Sequence, residues 1–206
     1  MGQVAAWSIV LPALLGVARF RYLNRSMKAF AIFSIAGVVN VGFEYVLSRA
    51  GVRNYWLIDI YFLITVPFIA LVYYLSIKTP SVRTLLKVSS ILFVLIWVIQ
   101  KSVFSDPTQL NSGLAMITAI FLVLISIVTL NVFLKTSSSP LASEPLFWVL
   151  TGTIIYYSGS FAVMGLGNEL LKLGMEYFEL GWHVNWILVT CSMILYSLGF
   201  LCKSRT

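Results

Sequence analysis

Seven stretches of roughly 20 mainly apolar residues follow one another along the chain, separated only by short polar breaks. A hydrocarbon core of about 30 Å is crossed by a helix of that length. The pattern therefore predicts transmembrane helices at Val4 to Phe20, Met27 to Leu47, Trp56 to Ser76, Leu85 to Val103, Leu114 to Leu134, Pro145 to Gly165 and Trp182 to Cys202. The expected architecture is an all-α membrane protein, a single seven-helix transmembrane domain over residues 1–206.

Breakers fall where the pattern pauses: Pro80 after the third helix, Asp106-Pro107 before the fifth, and Ser137-Ser138-Ser139-Pro140 before the sixth. Pro145 suits a first helical turn, where a missing N–H costs nothing. Pro12 and Pro67 fall inside helices and predict kinks whose freed carbonyls need another partner. Asn168 to Gly181 is too polar to span yet carries Leu170, Leu171, Leu173, Met175, Tyr177, Phe178 and Leu180, so it is expected as a short amphipathic helix on the outer surface.

Composition agrees with the pattern. Hydrophobic types make up 60% of the chain and charged types 10%, under half the roughly 25% of a soluble domain. Lys and Arg are retained on the cytoplasmic side. Alternate connections hold ten of them (Arg19, Arg21, Arg25, Lys28, Lys78, Arg83, Lys87, Lys135, Lys203 and Arg205) against four (Arg49, Arg53, Lys101 and Lys172). The N-terminus is thus expected outside and the C-terminus in the cytoplasm. The net charge of +7 reports topology and an attraction to anionic lipid, because it forms no basic tract of the kind that binds nucleic acid.

The first apolar stretch lacks a basic leader and ends in Arg19 and Arg21, so it is expected to be a spanning helix and not a secretory signal. Cys191 and Cys202 lie 11 positions apart on one predicted helix, about 16 Å and beyond disulfide reach. No cysteine or histidine spacing suggests a metal site, and no cofactor is expected.

Four segments carry a resemblance: Leu11-Pro12-Ala13-Leu14-Leu15-Gly16 with Arg19-Phe20; Asn54-Tyr55-Trp56-Leu57-Ile58-Asp59-Ile60-Tyr61; Pro145-Leu146-Phe147-Trp148 through Tyr157-Ser158-Gly159; and Gly199-Phe200-Leu201-Cys202-Lys203. In their order and spacing they resemble an uncharacterised family of small bacterial seven-helix integral membrane proteins, often neighbouring sensor histidine kinase systems. The resemblance implies a multi-pass protein of the bacterial cytoplasmic membrane, with signalling through a separate partner. It also implies a histidine where this chain has Asp59, a glutamate near Thr65 and a histidine where it has Asn185, and the chain departs at those positions. Any metal or proton chemistry built on those groups would be altered or lost here.

Independently, the ionisable groups are unevenly placed. With the expected topology, Glu44, Asp59, Asp106, Glu169, Glu176 and Glu179 fall on the outer side with the single His183, leaving Glu144 inside. Glu44 and Asp59 each lie a turn or more inside an apolar stretch, where a charge needs a partner or a wet cavity. Asn40 and Glu44 share a helical face. The sixth helix carries Thr153, Tyr156, Tyr157 and Ser160, and the seventh carries Asn185 and Trp186 below His183. A ligand-binding pocket open to the outside is expected from Asn40, Glu44, Asp59, Tyr61, Tyr156, Tyr157, His183, Asn185 and Trp186, for a small polar or cationic ligand.

Simpler readings stand beside it. Glu44 and Asp59 reach head-group water or pair with Arg49 and Arg53; the Tyr/Ser/Thr stripe is interhelical hydrogen bonding. Ser34, Gly37, Gly42 and Gly152 are expected at close helix contacts, and Trp56, Trp148 and Trp182 as interface anchors. Glu176, Glu179 and His183 would align on a continuous helix, but Gly181 is expected to interrupt it.

Known seven-helix chemistry is poorly matched. No lysine lies between Trp182 and Cys202 to bind retinal, no repeat relates the first three helices to the last three, and one histidine makes a poor hydrolase centre. No nucleophile, base or cofactor motif marks an enzyme. The leading expectation is a sensory or ligand-binding module acting through a separate effector; the alternatives are a small-solute transporter or a structural subunit of a membrane complex.

Overall fold

The computed structural model describes residues 2–52, 54–103 and 111–202. Expectations placed on Arg53, Asp106, Pro107, Lys203 and Arg205 lie outside them. All regular elements among the described residues are helical. Two short helices, α1 (Gly2–Trp7) and α2 (Val10–Ala18), precede α3 (Arg25–Arg49), α4 (Tyr55–Ser76), α5 (Pro80–Val103), α6 (Ser112–Thr136) and α7 (Pro145–Gly165). A short α8 (Gly167–Leu173) and a long α9 (Met175–Leu201) complete the order.

Six of these helices, α3 to α7 and α9, are long and apolar enough to cross a membrane. The chain thus has the build of a multi-pass membrane protein. The first expected span is divided, and its apolar helical part, Ala5–Ala18, is shorter than the other six. Pro12 explains the division: in an unbroken helix its nitrogen would have to donate to the Ser8 carbonyl. Instead the Leu11 N–H takes that carbonyl at 3.1 Å, and the Ser8 hydroxyl turns back to the Ala5 carbonyl at 2.6 Å.

Helix starts follow local chemistry. The Asn24 side chain accepts from the Met27 N–H at 2.9 Å to open α3, and Asn111 accepts from Leu114 at 3.0 Å to open α6. Pro145 sits in the first turn of α7 as expected. Pro80 does the same for α5, so that helix begins five residues before the apolar run instead of following a break.

The packing forms a ring. Helices α2, α3, α4, α6, α7 and α9 contact one another in that circular order, while α5 packs outside against α4 and α6. The half of the ring holding the N-terminal ends of α3 and α7 and the C-terminal ends of α4 and α9 is solid. Its core includes Met27, Phe30, Val72, Tyr73, Val149, Leu150 and Phe200, each at most 1% exposed. Gly16 allows α2 against Ala31 and Phe200, and the Arg19 guanidinium donates to the Phe200 carbonyl at 2.6 Å. Buried hydroxyls also pair across helices, Tyr73 with Ser126 at 2.8 Å and Thr153 with Tyr196 at 3.2 Å.

Close contacts explain two of the four small residues. A Cβ on Gly37 would collide with Ile9, and one on Gly152 would lie 2.6 Å from the Tyr196 ring. Ser34 is buried and bonds within its own helix, whereas Gly42 meets nothing within 4 Å and serves no packing role. Because Tyr196 is held by Thr153, its ring cannot simply swing away. Gly152→Ala is therefore expected to destabilise the bundle by about 1–3 kcal/mol, measured by denaturant titration of the purified protein, while Gly42→Ala leaves it unchanged.

Candidate ligand-binding cavity

The opposite half of the ring is hollow. It encloses a cavity of about 770 Å³, within the 300–1,000 Å³ range of small-molecule sites. Along α3 the walls run from Phe30 to Glu44, about 21 Å at the helical rise. Helices α1, α3, α4, α7, α8 and α9 all contribute, so anything bound there touches most of the bundle.

From α3 come Asn40 and Glu44, one turn apart, with the Asn40 amide donating to the Glu44 carboxylate at 2.6 Å. The Asn54 side chain donates to the Glu44 carbonyl at 3.1 Å, tying the end of α3 to the start of α4. Tyr61 reaches in from α4 with its ring stacked on Phe33 at 5.9 Å. Its hydroxyl would lie 3.0 Å from a Cβ on Gly37, so the glycine leaves room for it. Tyr156 and Tyr157 enter from α7 with ring centroids 4.5 Å apart. On α9, Asn185 accepts from Ser160 at 2.6 Å beside Trp186. Thr153 and Ser160 are thus interhelical hydrogen-bonding groups, and the two tyrosines between them face the cavity.

Seven of the nine expected site residues line this one space, and Asp59 and His183 do not. Asp59 is buried against α5, its Oδ2 2.7 Å from the Lys101 ammonium, while Trp97 donates to its backbone carbonyl at 2.9 Å. Among the described residues Asp59 therefore pairs with Lys101 and not with Arg49, while Arg53 lies outside them. His183 is exposed, its Nδ1 donating to the Glu179 carbonyl at 2.6 Å. Both departures have one cause: Asp59 and Tyr61, like His183 and Asn185, are two positions apart, so they point to opposite faces of their helices.

Gly181 also behaves differently from expectation, since α9 runs through it without a break. Its small size accommodates Leu170 of α8, which a Cβ would approach to 3.1 Å. The continuous helix aligns Phe178, Trp182, Asn185, Trp186, Val189, Met193 and Tyr196 along the cavity wall. Trp182 stacks on Phe178 at 5.5 Å and lines the cavity, while Trp56 is half exposed at the start of α4. This aromatic stripe at spacings of three and four was readable in the sequence once Gly181 was allowed inside the helix. No group of three or more His, Cys, Asp or Glu side chains able to hold a metal is found among the described residues.

No family model matches the chain, and neither a curated protein nor a solved structure matches it. Fold and cavity therefore define the class: an all-helical membrane-type bundle with an internal cavity.

Proposed function

We propose that this protein is a membrane-embedded sensory or ligand-binding module that signals through a separate effector. In this reading α1 and α2 together make the seventh span, the N-terminus and the cavity face outward, and the C-terminus lies in the cytoplasm of a bacterial cell. The observation that carries it is the convergence of Asn40, Glu44, Tyr61, Tyr156, Tyr157, Asn185 and Trp186, from four helices, on one cavity of about 770 Å³. Mostly apolar walls with a few converging polar groups are what a small-molecule site needs.

Transmission follows from α9. It carries cavity residues from Phe178 to Tyr196 and then Phe200, which stacks on Phe30 in the solid half. A ligand that favours one position of α9 shifts the population of both halves, by no more than its difference in affinity for the two states. An effector at the solid end would read that shift. The resemblance to proteins found beside sensor kinases supports such a partner.

Native mass spectrometry of the protein in mild detergent tests the reading. A reproducible non-lipid adduct is expected, lost in Glu44→Gln and kept in Asp59→Asn, whose carboxylate faces α5. A bare protein, or one bound only to a protein partner, would favour a structural subunit.

One observation favours a transporter instead. The break between α1 and α2 places Ile9 on the cavity wall, and interrupted helices beside a central site are a feature of transporters. Counterflow of the adduct compound in liposomes separates the two, because a receptor produces none.

A further inference from the structure

Glu44 brings a carboxylate to a largely apolar cavity, and its side chain meets only a neutral partner, Asn40, among the described residues. The two ion pairs found among those residues lie elsewhere, Asp59 with Lys101 and Glu169 with Lys172. Lys172 borders the cavity rim, but its ammonium is 2.7 Å from Glu169 and the two side chains are 71% and 62% exposed. Its charge is therefore compensated and screened by water.

The surroundings of Glu44 suit a particular kind of countercharge. Tyr61 and Tyr156 line the same cavity as Glu44, and aromatic faces attract organic cations. A bare metal ion is poorly served, since one carboxylate and one amide oxygen fall far short of six oxygen ligands. Below them the walls carry no charge, down to Phe30 and Ile69, about 21 Å away along the helix axes. Charge is confined to one end of an elongated, apolar space.

We propose that the cavity takes an amphiphilic organic monocation, its ammonium group beside Glu44 among the tyrosine rings and its apolar tail directed toward Phe30 and Ile69. This rests on the ligand-binding reading above and names the class of ligand. An anion would meet the field of Glu44, and a neutral compound would leave that half-buried carboxylate with only its neutral partner, Asn40.

Calorimetric titration of the protein in lipid nanodiscs with octyltrimethylammonium, its uncharged carbon isostere and octanoate tests this. The cation is expected to bind saturably, at least about tenfold more tightly than the isostere, with no binding of octanoate. Glu44→Gln should weaken it roughly 10- to 30-fold, and Tyr156→Leu, which keeps the carboxylate, about three- to tenfold. Should either variant fail to fold, the three probes on the unaltered protein decide by themselves. Equal binding of cation and isostere, or unchanged affinity in a folded Glu44→Gln protein, overturns the proposal. If the cation does not bind while native mass spectrometry finds a neutral adduct, the ligand class is wrong and the binding reading stands; if neither probe nor adduct is found, both fall.

Discussion

Phe30→Ala is expected to lower the stability of the bundle by about 3 kcal/mol, a large effect for the truncation of one side chain. Phe30 is 1% exposed and forms the boundary between the solid and hollow halves. Its ring stacks on Phe200 at 5.5 Å and meets the edge of Tyr196 at 5.0 Å, so one side chain joins α3 to α9 twice. In a bilayer, helices gain little from leaving lipid for protein, and association depends on close packing. Alanine forfeits those contacts and extends the cavity downward, where the surrounding side chains are too interlocked to collapse into the space. Denaturant titration in mixed micelles measures the loss. Phe43→Ala, with a ring 58% exposed, is the matched control and should change little.

The ion pair between α4 and α5 predicts the second large effect. Asp59 and Lys101 side chains are 6% and 25% exposed, and the other carboxylate oxygen, Oδ1, has no hydrogen-bond partner among the described residues. Lys101→Met strips the carboxylate of its ammonium partner. Breaking a buried pair on one side costs about 3–5 kcal/mol, and the partial exposure of Lys101 lowers the expected loss to about 2–3 kcal/mol. Asp59→Leu is expected to cost less, because the flexible lysine can extend its ammonium to water. The double variant should recover most of the stability, as apolar replacements of buried pairs often do. A double-mutant cycle by denaturant titration checks this, with equal losses in the double and the summed singles counting against the pair. Ligand binding should persist throughout, since Asp59 faces away from the cavity.

Much of this arrangement was readable from residue order. Apolar length located every long helix, and Pro145 marked a start that the structure keeps, whereas the Asn24 and Asn111 caps came from the structure. What escaped was decided by neighbours in space. Pro12 suggested a kink, but whether Ser8 would turn the chain into two helices depended on alternative bonds for its carbonyl. Gly181 suggested an interruption, yet packing under Leu170 keeps it helical. Charge asymmetry and the four-residue spacing of Asn40 and Glu44 pointed to residues that do line the cavity. Grouping Asp59 with Tyr61 and His183 with Asn185 ignored the roughly 200° that separates alternate helical positions. Helical phase, applied strictly, would have removed both and added Phe178, Trp182 and Tyr196.

The division of the bundle into solid and hollow halves bears on how such a protein could diversify. Residues that secure the helices, such as Met27, Val72 and Leu150, are held at one end, while those that line the cavity sit at the other end of the same rods. Changing Asn40 recuts the cup without disturbing the base. A lineage built on this plan is free to reshape its hollow and still inherit the same foundation.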